Sequence, residues 1–212
     1  MRIAELAARS GVSAASIKWY TREGLLPVGE RTGYNQTSYG EEHLARLHLI
    51  RSLVEVGGLS VAAAREVLAA ADDPDHPFGN TLGVAQASLP QAATPPSAES
   101  VQQVHDVAEQ LGWHWYEGHP GVLAAADVLD RFRALGRDDL AAVLPAYARA
   151  VEVVAAADLD CITKDLDSGK ATAAQTVVVG TVLGDALLAG LRRMAQTNES
   201  RRRFGSTPGS AA

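Results

Sequence analysis

The sequence predicts a mostly α-helical protein with one small β-hairpin near its N-terminus. Three observations support this fold class. The 212 residues are rich in Ala and Leu and only 5% aromatic, a composition that favours helices. Apolar residues recur at helical spacing through most of the chain. Residues 28–40, in contrast, hold three glycines among alternating polar and aromatic residues, which indicates a hairpin.

The first 27 residues predict two short helices joined by a tight turn. The first helix covers residues 2–9, and Ser10-Gly11-Val12 forms the turn. Ser13 is placed to cap the second helix, because its hydroxyl can accept a hydrogen bond from a first-turn N–H. Gly24 suits the left-handed position that ends a helix. Such a pair is a helix-turn-helix, whose second helix can enter the DNA major groove, and the hairpin that follows makes it a winged one.

This arrangement resembles the N-terminal domain of the MerR family of bacterial transcription regulators. The resemblance covers residues 1–70, about a third of the chain. The residues that carry it are Ile3, Glu5, Leu6, Ala7, Gly11, Val12, Ser13, Ile17, Lys18, Trp19, Tyr20, Gly24, Leu25, Leu26, Pro27, Gly33, Tyr34, Tyr39, Leu44, Leu47, Ile50 and the turn Gly57-Gly58-Leu59-Ser60. One departure lies in the wing, where Asn35-Gln36-Thr37-Ser38 replaces the shorter basic connection usual in the family.

The resemblance implies a transcription regulator that binds a palindromic promoter operator as a homodimer. It also implies that the protein bends and untwists this DNA, so that RNA polymerase meets correctly aligned promoter elements. DNA deformability then matters as much as base contacts.

Lys18 and Arg22 lie one turn apart on the second helix and are predicted to contact DNA, because Lys and Arg dominate contacts to phosphates and base edges. The alternative is a solvated helix face. Of the adjacent aromatic residues, Trp19 is expected to be the exposed one. The predicted DNA-binding residues are Ser13, Ser16, Lys18, Trp19, Tyr20, Arg22, Arg31, Tyr34, Tyr39 and Arg51.

The formal charge of −6 is unevenly distributed. Residues 1–71 carry eight Lys or Arg against seven Asp or Glu, whereas the rest carries eleven against eighteen. An acidic remainder discourages non-specific DNA binding. Cys161 is the only cysteine and Glu5 interrupts any N-terminal apolar run, so a reducing cytoplasm is the expected location.

Four segments are predicted from composition. Residues 1–71 form the DNA-binding domain. Residues 72–98 hold five of the nine prolines and form a linker, with a helix possible from 78 to 89. Residues 99–199 form a helical effector-binding and dimerisation domain, architecturally similar to the ligand-binding halves of TetR-type regulators. Residues 200–212 form a flexible tail.

A cluster of aromatic residues in the segment 112–121 is the candidate effector site. Its members are Trp113, Trp115 and Tyr116, on which flat apolar ligands could stack. Ordinary packing of a loop explains the cluster equally well.

The last predicted helix, residues 171–198, is the candidate dimer interface. Its apolar run from Thr176 to Leu191 is short for a membrane span and contains Asp185, so a buried helix is predicted and no membrane partner is expected. The predicted interface residues are Val177, Gly180, Gly184, Leu187 and Leu191, in which the glycines permit close packing.

Metal sensing and catalysis find little support. His105, His114, His119 and Cys161 lack the tight spacing of metal ligands, so no metal and no cofactor is predicted. No phosphate loop or nucleophile elbow is present, and the chain is not expected to be an enzyme. The alternative function is a constitutive DNA-binding or architectural protein whose C-terminal half only dimerises. A defined cavity in that half would favour a ligand sensor.

Overall fold

The structure is a computed structural model that describes residues 1–34, 36–73, 77–166 and 170–205. Contacts within the chain divide it into two compact units. The first comprises Met1–Gly58 together with residues from Val179 on, and the second comprises Leu59–Val178. The two units are described separately below.

The first unit is a winged helix-turn-helix, as predicted. It contains α1 (Ile3–Ser10), α2 (Ala14–Arg22), β1 (Glu30–Gly33), β2 (Gln36–Ser38), α3 (Glu41–Arg51) and a π-helical turn (Ser52–Val56). The strands are antiparallel with Glu30 opposite Ser38, and their register shifts between Arg31 and Gly33. Asn35, which belongs to the predicted departure in the wing, lies outside the described residues.

The first helix, predicted over residues 2–9, is observed as α1 (Ile3–Ser10), and the predicted cap of α2 is present. Ser13 Oγ accepts a hydrogen bond from the Ser16 backbone N–H at 3.0 Å, which caps α2. Gly11, with a φ of 69°, ends α1, and Gly24 has a φ of 78° after α2. Residues other than glycine rarely adopt this left-handed backbone conformation.

The core of the first unit joins α1 to α2 and α3. Its central side chains are at most 1% exposed, and full burial of each stabilises the fold by about 1.5–3 kcal/mol. These residues are Leu6, Ile17, Leu25, Leu26, Leu47, Ile50 and Leu53.

The second unit is entirely helical in its described part. It contains α4 (Val61–Asp72), α5 (Phe78–Ser88), α6 (Ala98–Gln110), α7 (Pro120–Ala134), a 3₁₀ helix (Asp138–Val143) and α8 (Leu144–Leu166). Helix α6 packs against α7 and α8, and α5 packs against α4 and α7. The predicted linker 72–98 therefore includes a packed helix, and the bounds of the four predicted segments stay a prediction.

Helix α9 (Lys170–Phe204) begins in the second unit and continues into the first. Its first half is buried at Ala173, Val177 and Val182. Its second half is exposed, with Leu187 65%, Leu191 53% and Met194 69% accessible. The prediction of a buried helix is therefore wrong for the second half of α9 within one chain. The helix also includes residues 200–204 of the predicted tail, and residues 206–212 lie outside the described part.

Two helical stretches, Asp138–Asp165 and Thr172–Phe204, are long and apolar enough to cross a membrane by length and composition alone. Core helices of soluble proteins meet the same criteria, so this is weak support for a membrane span.

A carboxylate joins the start of α6 to α7. Asp130 accepts hydrogen bonds from the Ser97 N–H and hydroxyl, both at 2.6 Å, and from the Ser100 hydroxyl at 2.7 Å. The Arg133 guanidinium adds a fourth contact at 3.2 Å. The Ser97 hydroxyl, followed by the other donors, lowers the pKa of Asp130 to about 2.

This carboxylate predicts a pH-dependent contribution to stability. Because the folded-state pKa lies below the unfolded value of about 3.9, the contribution is fully present above that value and is lost as pH falls toward 2. Asp130→Asn should lower the urea midpoint of unfolding at pH 6, and the deficit should be smaller at pH 3. Asp127→Asn, which removes a carboxylate paired with Arg131 on the same helix, is the control. An Asp130→Asn deficit that stays constant between the two pH values would refute this account.

Candidate DNA-binding surface and ligand cavity

Helix α2 presents a cationic face opposite its buried side. Ile17 is completely buried, whereas Lys18 and Arg22 are exposed. Within the described residues neither cation has an ion-pair partner. Both cations are therefore available to an anionic partner such as a DNA phosphate.

The N-terminal turn of α2 carries two hydroxyls. The Ser13 and Ser16 side chains lie 2.8 Å apart and share a hydrogen bond. Ser13 already caps the Ser16 N–H, so Ser16 is the better placed of the two to turn its hydroxyl toward a phosphate.

The aromatic pair on α2 divides as expected. Trp19 is 36% exposed and Tyr20 is partly buried, with their ring centroids 5.4 Å apart. The carbonyl of Leu25, just after α2, accepts a hydrogen bond from Arg46 Nε at 2.9 Å. This contact fixes the C-terminal end of α2 against α3.

Of the wing residues predicted to contact DNA, two are exposed and one is buried. Arg31 is exposed, and Tyr34 at the hairpin turn is 98% accessible. Tyr39 is only 9% accessible, and its ring meets the His43 ring edge-on at 5.2 Å. The Tyr39 side chain thus packs in the core, and its predicted contact with DNA stays a prediction.

Arg51 is also engaged within the protein. Its Nη1 donates to the Ser10 carbonyl at 2.9 Å, and its Nε and Nη2 donate to both carboxylate oxygens of Glu55 at 2.9 and 2.8 Å. A Cβ at Gly11 would lie 2.7 Å from Nη1, so the turn fits closely around the guanidinium. Arg51 thus neutralises the C-terminal end of α1, and its predicted contact with DNA stays a prediction.

A second long-range ion pair of this unit was not predicted from the sequence. Arg9 donates to both carboxylate oxygens of Glu41 at 2.6 and 2.8 Å, joining the end of α1 to the start of α3. The two residues are 32 positions apart, and no local pattern pairs them.

The second unit contains a cavity of about 370 Å³. It lies between α6, α7, α8 and the segment 111–119. Two of the three predicted effector-site residues, Trp113 and Trp115, line it. Tyr116 is outside the lining, with its ring 4.9 Å from that of His119. The lining residues are Val104, Val107, Ala108, Trp113, His114, Trp115, His119, Gly121, Val122, Ala125, Leu144, Tyr147, Ala148 and Val151.

Two residues outside the lining hold the tryptophans in place. Glu152 on α8 accepts a hydrogen bond from Trp113 Nε1 at 3.0 Å. His105 on α6 stacks on Trp115 with ring centroids 3.6 Å apart and an interplanar angle of 17°. Glu152 was missed from the sequence because it lies 39 positions from Trp113, and His105 was considered only as a metal ligand.

His105 and His119 serve packing and capping. His119 Nδ1 accepts the Gly121 N–H at 3.0 Å at the start of α7. In the described part of the chain, no group of three or more His, Cys, Asp or Glu residues is arranged to hold a metal ion. Cys161 is exposed.

A winged helix-turn-helix with an exposed cationic second helix defines a DNA-binding regulatory protein. Residues 1–71 match the profile of the MerR HTH family regulatory proteins. Residues 1–71 of this chain are therefore a helix-turn-helix domain of the MerR family.

Individual relatives agree with this assignment. The mercuric resistance operon regulatory protein of Bacillus cereus is 41% identical over 56 residues, which are 26% of this chain and 42% of that protein. A Haemophilus influenzae protein named "Probable heavy metal-dependent transcriptional regulator" is 29% identical over 121 residues, which are 57% of this chain and 89% of that protein. The match thus spans less than half of the Bacillus cereus relative.

A solved structure extends the likeness beyond the DNA-binding unit. The crystal structure of the candidate transcriptional regulator SCO5550 from Streptomyces coelicolor A3(2) is 36% identical, with a TM-score of 0.66. The alignment covers 99% of this chain and all of that chain. The helical second unit is therefore shared with a relative.

The contacts of Arg51 predict that removal of its side chain lowers the stability of the folded protein. Arg51→Ala should lower the thermal midpoint of the protein, because the Ser10 carbonyl and Glu55 both lose their cationic partner. Arg31→Ala, which removes an exposed cation of the wing, is the matched control and should leave the midpoint unchanged. Differential scanning calorimetry measures both. Equal midpoints for wild type and Arg51→Ala would contradict the bracing role.

Proposed function

We propose that the protein is a sequence-specific regulator that binds a palindromic promoter operator as a homodimer, distorts it, and responds to a small organic effector. The observation that carries the DNA-binding part is the pair of exposed cations Lys18 and Arg22 on α2, held outward by the buried Ile17. Family membership supports DNA as the partner.

The proposed DNA contacts come from α2 and from the wing. Lys18 and Arg22 enter or border the major groove, and Trp19 lies beside them on the same exposed helix. Ser13, Ser16 and Tyr20 contribute from the same helix. Arg31 and Tyr34 supply the wing contacts, with phosphates the natural target of the arginine.

Distortion of the operator follows from family membership rather than from any feature of this chain. In this proposal the bent and untwisted promoter realigns its elements for RNA polymerase, which the protein affects indirectly through the DNA. The cytoplasm, where such DNA lies in a bacterium, is the proposed location. The family and relatives point to a transcription regulator rather than an enzyme.

The effector part of the proposal is supported by the cavity. A pure dimerisation domain needs only a filled core, whereas the second unit holds about 370 Å³ lined by Trp113 and Trp115. Small-molecule sites have volumes of roughly 300–1,000 Å³ and mainly apolar walls. The cavity therefore favours a ligand sensor over a constitutive architectural protein.

A metal effector has less support in this chain, although the names of two relatives refer to mercury and heavy metals. The chain has a single cysteine, whereas soft metals prefer several thiolate ligands. The cavity lining contains histidines but no cysteine.

The first test measures DNA binding. Genomic fragments bound by the protein are selected first, and the selected operator is then titrated with variants at several salt concentrations. Lys18→Ala and Arg22→Ala should each weaken binding and reduce the slope of log K against log salt by about 1, as expected for one lost phosphate contact. Lys164→Ala removes one exposed cation from α8 and should change neither quantity. If both α2 variants bound like wild type at every salt concentration, the proposed DNA-binding surface would be wrong.

Dimerisation is proposed to use α9. Leu187, Leu191 and Met194 follow a four-three spacing on one face and are all more than half exposed in the single chain. Gly180 and Gly184 lie on the same face, and within the described structure a Cβ at either would meet no atom within 4 Å. A second copy of α9 is the proposed partner, since a two-fold operator requires two recognition helices one DNA turn apart.

Gly184→Leu tests this interface because the isolated chain has room for the side chain. The substitution should raise helix propensity, so the subunit should fold, while overpacking the pairing face at a cost of about 1–3 kcal/mol. Sedimentation should therefore shift toward monomer, and operator affinity should fall. Ala186→Leu, on the opposite exposed face of α9, should stay dimeric. A Gly184→Leu variant with wild-type sedimentation at every concentration would exclude close pairing at Gly184.

A further inference from the structure

We propose that the cavity of the second unit takes a neutral, planar and largely apolar molecule of roughly two or three fused rings. This inference rests on the proposed effector function and specifies the class of ligand. The volume of about 370 Å³ lies near the lower end of the range for small-molecule sites, so the ligand is compact.

The charge of the ligand follows from the composition of the lining. None of the fourteen lining residues is Asp, Glu, Lys or Arg. The carboxylate next to the site, Glu152, is outside the lining and accepts the Trp113 indole N–H. A charged ligand would lose its hydration here without gaining an opposite charge, which costs several kcal/mol for an ion and little for a neutral molecule. The cavity therefore selects against both cations and anions.

The shape of the ligand follows from the aromatic walls. His105 covers one face of Trp115, so the opposite face and the ring edges are what a ligand can contact. Trp113 is held by Glu152, and Tyr147 contributes a third ring from α8. Rings fixed before binding lose little conformational freedom when a flat molecule stacks on them. A planar ligand gains most from this arrangement.

One polar group on the ligand can be recognised. His119 Nδ1 accepts the Gly121 N–H, so the neutral imidazole carries its proton on Nε2. That N–H is a donor suited to a keto or ether oxygen. The chemical class is thus a neutral polycyclic molecule with a hydrogen-bond acceptor.

Three naphthalene probes of matched size test the ligand class. These are 2-acetylnaphthalene (neutral), 2-naphthyltrimethylammonium (cationic) and 2-naphthoate (anionic). The full-length Trp19→Phe protein leaves Trp113 and Trp115 as the only tryptophans, and their quenching is titrated together with calorimetry. The neutral probe should bind at least tenfold more tightly than either charged one. Equal or tighter binding of a charged probe, or no binding of the neutral probe, would overturn the proposal.

A matched pair of variants tests the location. Ala125→Phe places a ring into the cavity from α7, whereas Ala124→Phe adds the same ring at the neighbouring exposed position, outside the lining. Ala125→Phe should abolish binding of the neutral probe, and Ala124→Phe should retain it. Wild-type affinity in Ala125→Phe would place the site elsewhere. Probe selectivity is measured on the unsubstituted cavity, so it does not depend on how Ala125→Phe folds.

Operator binding of the unsubstituted protein, which keeps the proposed DNA contact Trp19, distinguishes this proposal from the proposed function. Operator binding is measured with and without saturating neutral probe. Intact operator binding with the wrong probe selectivity overturns only the ligand class. Selective probe binding without any operator binding leaves the ligand class standing and overturns the regulatory function.

Discussion

The turn between α1 and α2 is the constraint on which the DNA-binding unit depends. Gly11 adopts a left-handed conformation there, and Arg51 reaches across from the end of α3 to the Ser10 carbonyl. A Cβ at position 11 would lie 2.7 Å from Arg51 Nη1, so a side chain there would displace the guanidinium. With Ile17 buried on its inner side, α2 packs against α1 in the core of the unit. Its cations are therefore presented without further adjustment.

Two of the residues predicted to contact DNA have partners within the protein. Tyr39 and Arg51 are residue types that often contact DNA, but each has stronger partners inside the protein. Tyr39 packs against the buried His43 ring, and Arg51 satisfies a helix end and a carboxylate together. Lys18, Arg22 and Arg31 lack such intramolecular partners among the described residues and stay exposed. Cations without internal partners are the ones that a phosphate can recruit without breaking an existing contact.

Side chains outside the cavity of the second unit hold the surrounding helices and aromatic rings in position. Asp130 holds the start of α6 to α7 through the hydroxyls of Ser97 and Ser100. Glu152 and His105 then fix the two tryptophans from α8 and α6. Polar contacts thus surround an apolar space that they do not enter. Such a division leaves the ligand to be chosen by shape and by the absence of charge.

The sequence by itself determined the winged helix-turn-helix, because its turns depend on local chemistry. Ser13 and Ser60 cap helices through neighbouring N–H groups, and Gly11 and Gly24 supply the left-handed positions. The cluster of aromatic residues around Trp113 was likewise evident from the sequence. Only the tertiary structure decided which of these residues face outward and which enclose a cavity. The pairs Arg51–Ser10, Arg9–Glu41 and Trp113–Glu152 join residues more than 30 positions apart, and no local periodicity encodes such distances.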